Sequence, residues 1–477
     1  MENVKPTRLA FIAPAGHGKT QSVCKLVEGH SGRALVLTHT RAGVKALQER
    51  FQARAVPPSR YAIQSIAGFC EAWAKSYPWV SGYTEISSMK SSDQNGYYRQ
   101  LYGLSEPLLS MEFAQAVMRQ SYELVIVDEY QDCTATQAAL VEAAAGGLDL
   151  IVLGDPLQAI FYWEEDDIVD WGSLPYEVRG LEDDKPWRWI KHGAPELGES
   201  IAAIREKLLP ALTGDVATVP IPWKRGVIDR IAPDDLKYPY KLNLGPDEET
   251  LFLAKYEGKQ LDFAKRHPGF QVNEKIERDH LRKHAAAICD SDGRAMCLAV
   301  FAFADSCMTG VNPEFKSHIK QLGRTEPSFS RITKHVQVRE WLTGILDGRD
   351  CYANAARILG YCASDQTGTR VYRKHCLRDM TRLLEAAARN GCSLVELLDD
   401  EKLCPMSSLE REGKYRLMSS RPVLSKGLEC DHAIIDMTVP LTDPRDFYVA
   451  ISRAKKHVSI VCDHDPFTFS LSSRSGR

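Results

Sequence analysis

Arg8-Leu9-Ala10-Phe11-Ile12-Ala13-Pro14-Ala15-Gly16-His17-Gly18-Lys19-Thr20 decides the fold. The apolar run Arg8–Pro14 is a buried-strand candidate; it breaks into a turn with two glycines and restarts as a helix from Lys19 to about Glu28. Small residues in such a turn let backbone N–H groups approach phosphate oxygens, and the helix N-terminus adds favourable partial charge. Ala15, Gly16, His17, Gly18, Lys19, Thr20 and Gln21 are therefore read as nucleotide-binding. Lys19 is placed to reach the β- and γ-phosphates, and the Thr20 hydroxyl to ligate Mg2+. The strict pattern opens on glycine, and here Ala13 stands in its place.

Outward from the loop, short apolar runs alternate with helical patterns. Strands are expected at Ala34–Thr38, Leu124–Asp128 and Leu150–Gly154, with a helix through Leu47 after the first of these. Continuous Leu and β-branched runs separated by helices indicate a parallel sheet covered on both faces. An aromatic-rich helical stretch separates Phe69 from Ser121. Later, Thr250–Lys255 reads as a strand followed by an amphipathic segment to Phe270, and residues 275–405 read as mostly helical. There the pattern Leu377–Arg389 stops at Asn390–Gly391 and restarts at the capping box Ser393-x-x-Glu396. Strand patterns return at Ala433–Asp436 and Val458–Val461, with a helix from Asp446 to Ala454 between them.

The run Leu124-Val125-Ile126-Val127 ends in Asp128-Glu129. Asp128 is suited to hold Mg2+ through water, and Glu129 to orient and deprotonate an attacking water. A phosphotransferase has no use for a water activator, so the second acid argues for hydrolysis.

A chain of 477 residues implies two to four domains, and 44% hydrophobic with 26% charged residues is ordinary for a soluble globular protein. No apolar run approaches the roughly 18 to 20 residues a membrane span requires. The first residues turn polar too early for a secretory signal, so a cytoplasmic address is expected. The 13 cysteines form no C-x-x-C pair and read as free thiols in a reducing compartment, not as a zinc site. A net charge of −3 requires that any nucleic-acid binding come from a local groove.

The acids continue into Tyr130-Gln131-Asp132, and Asp-Glu-Tyr-Gln-Asp resembles motif II of the UvrD/PcrA/Rep-like superfamily 1A DNA helicases. Other motifs of that family follow in order. Leu37-Thr38-His39-Thr40-Arg41 resembles motif Ia, and Gly154-Asp155-Pro156-Leu157-Gln158 through Trp163 resembles motif III. Lys185-Pro186-Trp187-Arg188 is similar to motif IV, Ser425-Lys426-Gly427-Leu428-Glu429 to motif V, and Tyr448–Ala454 to motif VI. The resemblance frames the chain from residue 13 to 454.

The resemblance implies an α/β fold of two RecA-like P-loop domains with parallel sheets, each interrupted by a mainly helical insert. The first motor domain would comprise 1–68 and 121–185, with a 1B-like insert at 69–120. The second would comprise 186–274 and 406–477, with a 2B-like insert at 275–405. It implies catalysis by Lys19, Asp128, Glu129, Gln158, Arg188 and Arg453, the two arginines acting on charge that develops on the transferred phosphoryl group. Thr20 and Asp128 would hold the metal, Trp187 would stack on adenine, and Glu429 would lie near the ribose. Thr38, Thr40 and Arg41 would contact the backbone of single-stranded DNA, and Phe69, Phe161 and Trp163 would stack on its bases.

Four departures stand out. No adenine-reading glutamine precedes the phosphate loop, Ala67 and Val423 replace family histidines, and Glu164-Glu165-Asp166-Asp167 stands where a basic residue is usual. The implied activity is ATP-dependent translocation or unwinding, 3′ to 5′, on single-stranded DNA or DNA with a single-stranded end. ATP and Mg2+ are the implied cofactors, with no membrane partner. The alternative is a DNA-sensing regulatory ATPase subunit beside an OLD-family nuclease, as in Gabija-type anti-phage systems.

Overall fold

A computed structural model describes residues 6–87, 89, 94–161, 168–242, 244–273, 279–398 and 415–471. The chain forms two compact units: Met1–Pro233 with Ser425–Arg477, and Asp234–Leu424. It contains two six-stranded sheets.

The first sheet lies wholly in the first unit. Its strands are β1 (Arg8–Ile12), β2 (Ala34–Thr38), β3 (Tyr61–Ser65), β4 (Leu124–Val127), β5 (Asp149–Gly154) and β6 (Glu177–Arg179), in the order β3-β2-β4-β5-β1-β6. Every pairing is parallel, with Val36 opposite Ile126, Ile126 opposite Ile151 and Leu9 opposite Ile151. All residues of β2 and β4 are buried, which is why they read as unbroken apolar runs. One face packs on Val23, Val27, Leu47 and Phe51 from the helices Lys19–Gly29 and Arg41–Ala53. The opposite face packs on Ile66, Phe69, Tyr97, Leu140 and Val141.

Three further strands belong to the first unit. Cys430–Asp436 pairs in parallel with Ala454–Val461, which pairs in parallel with Ile228–Ile231. The helix Pro444–Ile451 connects the first two, starting at Asp443, whose carboxylate accepts from the Arg445 amide at 2.8 Å.

In the second unit, Leu417–Ser420 lies in parallel register between Gln271–Val272 and Thr250–Leu253. Most of the described remainder is helical, including Asp279–Cys289, Gly293–Cys307, Val336–Leu346, Cys351–Cys362 and Lys374–Asn390. Val300, Phe303, Leu342, Leu359, Met380 and Leu383 belong to one apolar core there. Gly391 ends the last of these helices at φ 68°, a left-handed conformation that glycine adopts without strain. The Ser393/Glu396 capping box then forms as its spacing predicts.

The α/β architecture with two parallel sheets is the one anticipated from the alternation of runs. Not anticipated were β3 and β6, the strands Ile228–Ile231, Gln271–Val272 and Leu417–Ser420, and the two-stranded antiparallel pairs Met308–Thr309 with Arg370–Val371 and Ala217–Val219 with Phe467–Phe469.

Candidate nucleotide site

Parallel strands deliver their carboxyl ends to one edge of a sheet, where α/β proteins bind ligands. Here that edge receives the phosphate loop from β1, Asp128 and Glu129 from β4, Asp155 from β5 and Thr38 from β2.

The loop is fixed from several directions. The Ala13 amide donates to the Gly154 carbonyl at 3.1 Å, tying the loop to β5. The Ala15 amide donates to the Tyr448 hydroxyl at 2.9 Å. Gly16 and Gly18 have φ of +73° and +86°. A Cβ at Gly16 would lie 2.9 Å from both Arg188 Cβ and Trp189 Cζ3, so glycine is required there for conformation and for space. Trp187 sits against Gly18, with its Cδ1 3.4 Å from where a Cβ would be, and Lys185 lies over its ring. Lys19 is buried and donates to the Ala13 and Pro14 carbonyls at 2.9 and 3.2 Å. Burial lowers its pKa, while Asp155, Glu129 and Asp128 act in the opposite sense. His17 is bound to Asp184 at 2.6 Å, yet burial outweighs that partner and lowers its pKa. Thr20 is half-buried in the first turn of the helix, followed by Gln21.

Glu129 turns the chain at φ +60°, a conformation costly for a residue with a Cβ and concentrated at functional sites. Asp128 is 4% exposed, and burial together with the Glu129 charge pushes its carboxyl up to about 7. Burial acts on Glu129 too, but Lys426 and Lys19 outweigh it and hold that carboxyl below the usual range. Lys426 pairs with buried Asp132, lies 3.9 Å from Glu129 and donates to the Gln158 carbonyl at 2.7 Å. Gln131 bridges two strand ends, donating to Glu129 at 2.5 Å and accepting from the Asp155 amide at 3.1 Å. Asp155 in turn accepts from Gln158 Nε2 and from Arg205, both at 3.1 Å.

Two arginines complete the site. The Arg188 amide donates to the Gly16 carbonyl at 3.0 Å, and its guanidinium donates to Glu429 at 2.7 Å and to the Ser452 carbonyl. Its Nε is buried with no partner among the described residues. Arg453 is 3% exposed and donates to the Val449 carbonyl at 2.9 Å and Ser452 Oγ at 3.0 Å. Burial and the Arg188 charge lower its pKa to about 10. A buried and a half-buried guanidinium near one carboxylate, with an orphaned Nε–H, make a cradle suited to a polyanion. For a metal, the Thr20 hydroxyl and the Asp128 carboxylate supply the oxygen donors that Mg2+ takes. The buried, acid-crowded Asp128 carboxyl is a group that a divalent cation would relieve.

The expected DNA contacts differ in their surroundings. Thr38 is buried, Arg41 is exposed, and Thr40 caps the helix Arg41–Ala53 by accepting from the Gly43 amide at 3.0 Å. Phe69 is 2% exposed and packs in the core beside Trp73, so in this conformation it offers no face to a base. Phe161 lies under Lys426 at 4.9 Å. Trp163 and the acidic run 164–167 fall outside the described residues. Tyr448, Arg205 and Asp184 were given no role from sequence. Each is defined by a partner far along the chain, which no local spacing announces.

Residues 83–170 match the model of the UvrD/REP helicase N-terminal domain, a span that holds Asp128, Glu129 and Gln158. Over that span the chain is similar to UvrD-type helicases. No curated protein matches it. Among solved structures, arterivirus nonstructural protein 10, a helicase determined with DNA, aligns with 53% of this chain at 11% identity and a TM-score of 0.27. The chain spans 49% of that helicase. No described helix is long and apolar enough to cross a membrane.

Proposed function

We propose that this chain is an ATP-driven motor on single-stranded DNA, moving 3′ to 5′. The observation that carries the reading is the convergence, in one unit, of Lys19, Asp128, Glu129, Gln158, Arg188 and Arg453 around one glycine-containing loop. Lys19 exchanges its loop carbonyls for phosphate oxygens. Thr20 and Asp128 hold Mg2+, which supplies charge neutralisation when bound. Glu129, kept ionised by Lys426, takes a proton from the attacking water. Arg188 and Arg453 stabilise the charge that develops on the phosphoryl oxygens. Gln158, clamped by Asp155, senses the γ-phosphate, and its carbonyl ties it to Lys426 and so to Asp132. Trp187 beside Gly18 is positioned for the base and Glu429 for the ribose. Thr38, Thr40, Arg41, Phe69, Phe161 and Trp163 remain the proposed strand contacts, and Phe69 requires a different side-chain arrangement to act.

The test is ATP turnover by the full chain with and without single-stranded DNA. DNA is expected to stimulate it, and Lys19→Ala to abolish it. Arg188→Ala and Arg453→Ala should each lower kcat by about 1,000-fold or more. Trp163→Ala should weaken the stimulation while leaving DNA-free turnover intact. Displacement of a block from the 5′ end alone reports 3′-to-5′ movement. Full turnover by Arg453→Ala, or no response to single strands, would sink the proposal.

A further inference from the structure

The helical part of the second unit contains a cluster of soft donors that hydrolysis of ATP does not use. One ligand atom from each of His280, Cys307 and Cys376 lies within 4.8 Å of the others. They come from three helix ends: the first turn of Asp279–Cys289, the last residue of Gly293–Cys307 and the first turn of Lys374–Asn390. Cys307 and Cys376 are 0% and 6% exposed, and His280 is half-buried.

The cluster is built by backbone rather than by chance contact of long side chains. The antiparallel pair sets Met308 opposite Val371 and Thr309 opposite Arg370. The amides of Tyr372 and Arg373 then both donate to the Cys307 carbonyl, at 3.0 and 3.2 Å. That fixes Cys307 beside the start of the helix that carries Cys376. His280 is oriented as well. Ser306 Oγ donates to the Phe303 carbonyl at 2.7 Å and so accepts from His280 Nε2 at 3.0 Å, leaving Nδ1 as the ring's lone-pair donor. Such a partner on the second ring nitrogen is the usual support of a metal-bound histidine. His284, one helical turn on, brings its ring centroid to 4.6 Å from that of His280.

We propose that His280, Cys307 and Cys376 bind a zinc ion, with His284 completing a tetrahedral Cys2His2 site. Thiolate and imidazole donors select Zn2+ over the oxygen-seeking Mg2+ of the nucleotide site. Bond lengths of about 2.3 Å to sulfur and 2.0 Å to nitrogen separate tetrahedral ligand atoms by roughly 3.3–3.8 Å. His280, Cys307 and Cys376 close to that spacing from at most 4.8 Å, and His284, outside that group, turns its ring in from beside His280. Binding replaces two thiol protons by the metal, so two protons leave to solvent for each ion bound. A closed four-ligand site has no open position for substrate, so the ion is structural: it fastens three helix ends to one point.

The test uses the full chain, reduced, stripped with a chelator and titrated with Co2+ and then Zn2+. The expected result is one metal per chain and a thiolate-to-cobalt charge-transfer band that zinc abolishes. Cys307→Ser and Cys376→Ser should each lose the band, with folding checked by circular dichroism. Ser306→Ala should keep it but weaken affinity by about 10- to 100-fold, as loss of an outer-shell partner does. The wild-type titration needs no variant to fold. Absence of the charge-transfer band at saturating cobalt, or a Cys307–Cys376 disulfide in protein made in a reducing cytosol, overturns the assignment.

Discussion

At the scale of single residues, the proposed nucleotide site holds charge where folding alone would not put it. Asp128 illustrates the conflict. Its carboxyl titrates at about 7 instead of the ordinary 3.8, because burial and Glu129 both oppose ionisation. An acid whose folded pKa is raised holds its proton more tightly in the native state. Its contribution to stability is therefore greatest below about 4 and declines as pH climbs toward 7. Asp128→Asn removes that penalty, so the variant should be more stable than wild type at pH 8, by on the order of 2–4 kcal/mol, and nearly equal to it at pH 4. Chemical denaturation at the two pH values measures this without nucleotide. Hydrolysis should be lost at both, since the group that destabilises the empty protein is the one proposed to carry Mg2+. Equal stability of the two proteins at pH 8 would mean that Asp128 is not held in a low-dielectric site.

At the scale of elements, what the sequence made legible was what is local. The strands β2 and β4 are buried along their whole length and so spell continuous apolar runs. Tyr61–Ser65 escaped because it is an edge strand, half-buried throughout, with no such run. The phosphate loop and the paired acids were legible because each is a short stretch between a strand and a turn. Tyr448 was not, since its partner Ala15 is 433 residues away. The grouping of His280, Cys307 and Cys376 was not legible for the same reason: these side chains sit on three helices, and none of the spacings is a metal motif. The loop-helix element itself yields a paired test. Gly16 has φ +73° and no room for a methyl group, whereas a Cβ at Gly29, which ends the same helix, meets nothing within 4 Å. Gly16→Ala should cost about 1–3 kcal/mol and abolish nucleotide binding. Gly29→Ala should be neutral or stabilise by up to about 1 kcal/mol and bind nucleotide normally. Thermal denaturation with and without a nucleotide separates the two, and normal binding by Gly16→Ala would contradict the close packing of the loop on Arg188 and Trp189.

At the scale of the whole molecule, the proposed nucleotide site is assembled from segments distributed across almost the entire chain. The phosphate loop begins near the N-terminus, Arg188 follows the first sheet, and Tyr448 and Arg453 come near the C-terminus, all within the first unit. A ligand that bridges such segments must order them together, because binding only the folded arrangement stabilises it by RT ln(1 + [L]/Kd), about 2.7 kcal/mol at a hundredfold excess over Kd. Hydrogen exchange with a non-hydrolysable ATP analogue and Mg2+ should therefore slow simultaneously in peptides covering 13–20, 128–132, 186–190 and 448–453. Arg188 and Arg453 decide the matter, since their mutual repulsion is what a polyanion would relieve. In Arg453→Ala, protection should persist at 13–20, where Lys19 and the loop amides suffice to hold phosphate, and fall at 448–453. Protection of the loop peptide alone in the wild-type protein would show that the arginines face something other than the nucleotide. Joint protection that Arg453→Ala uncouples would tie the hydrolytic site to both ends of the chain, the coupling that a nucleotide-driven motor requires.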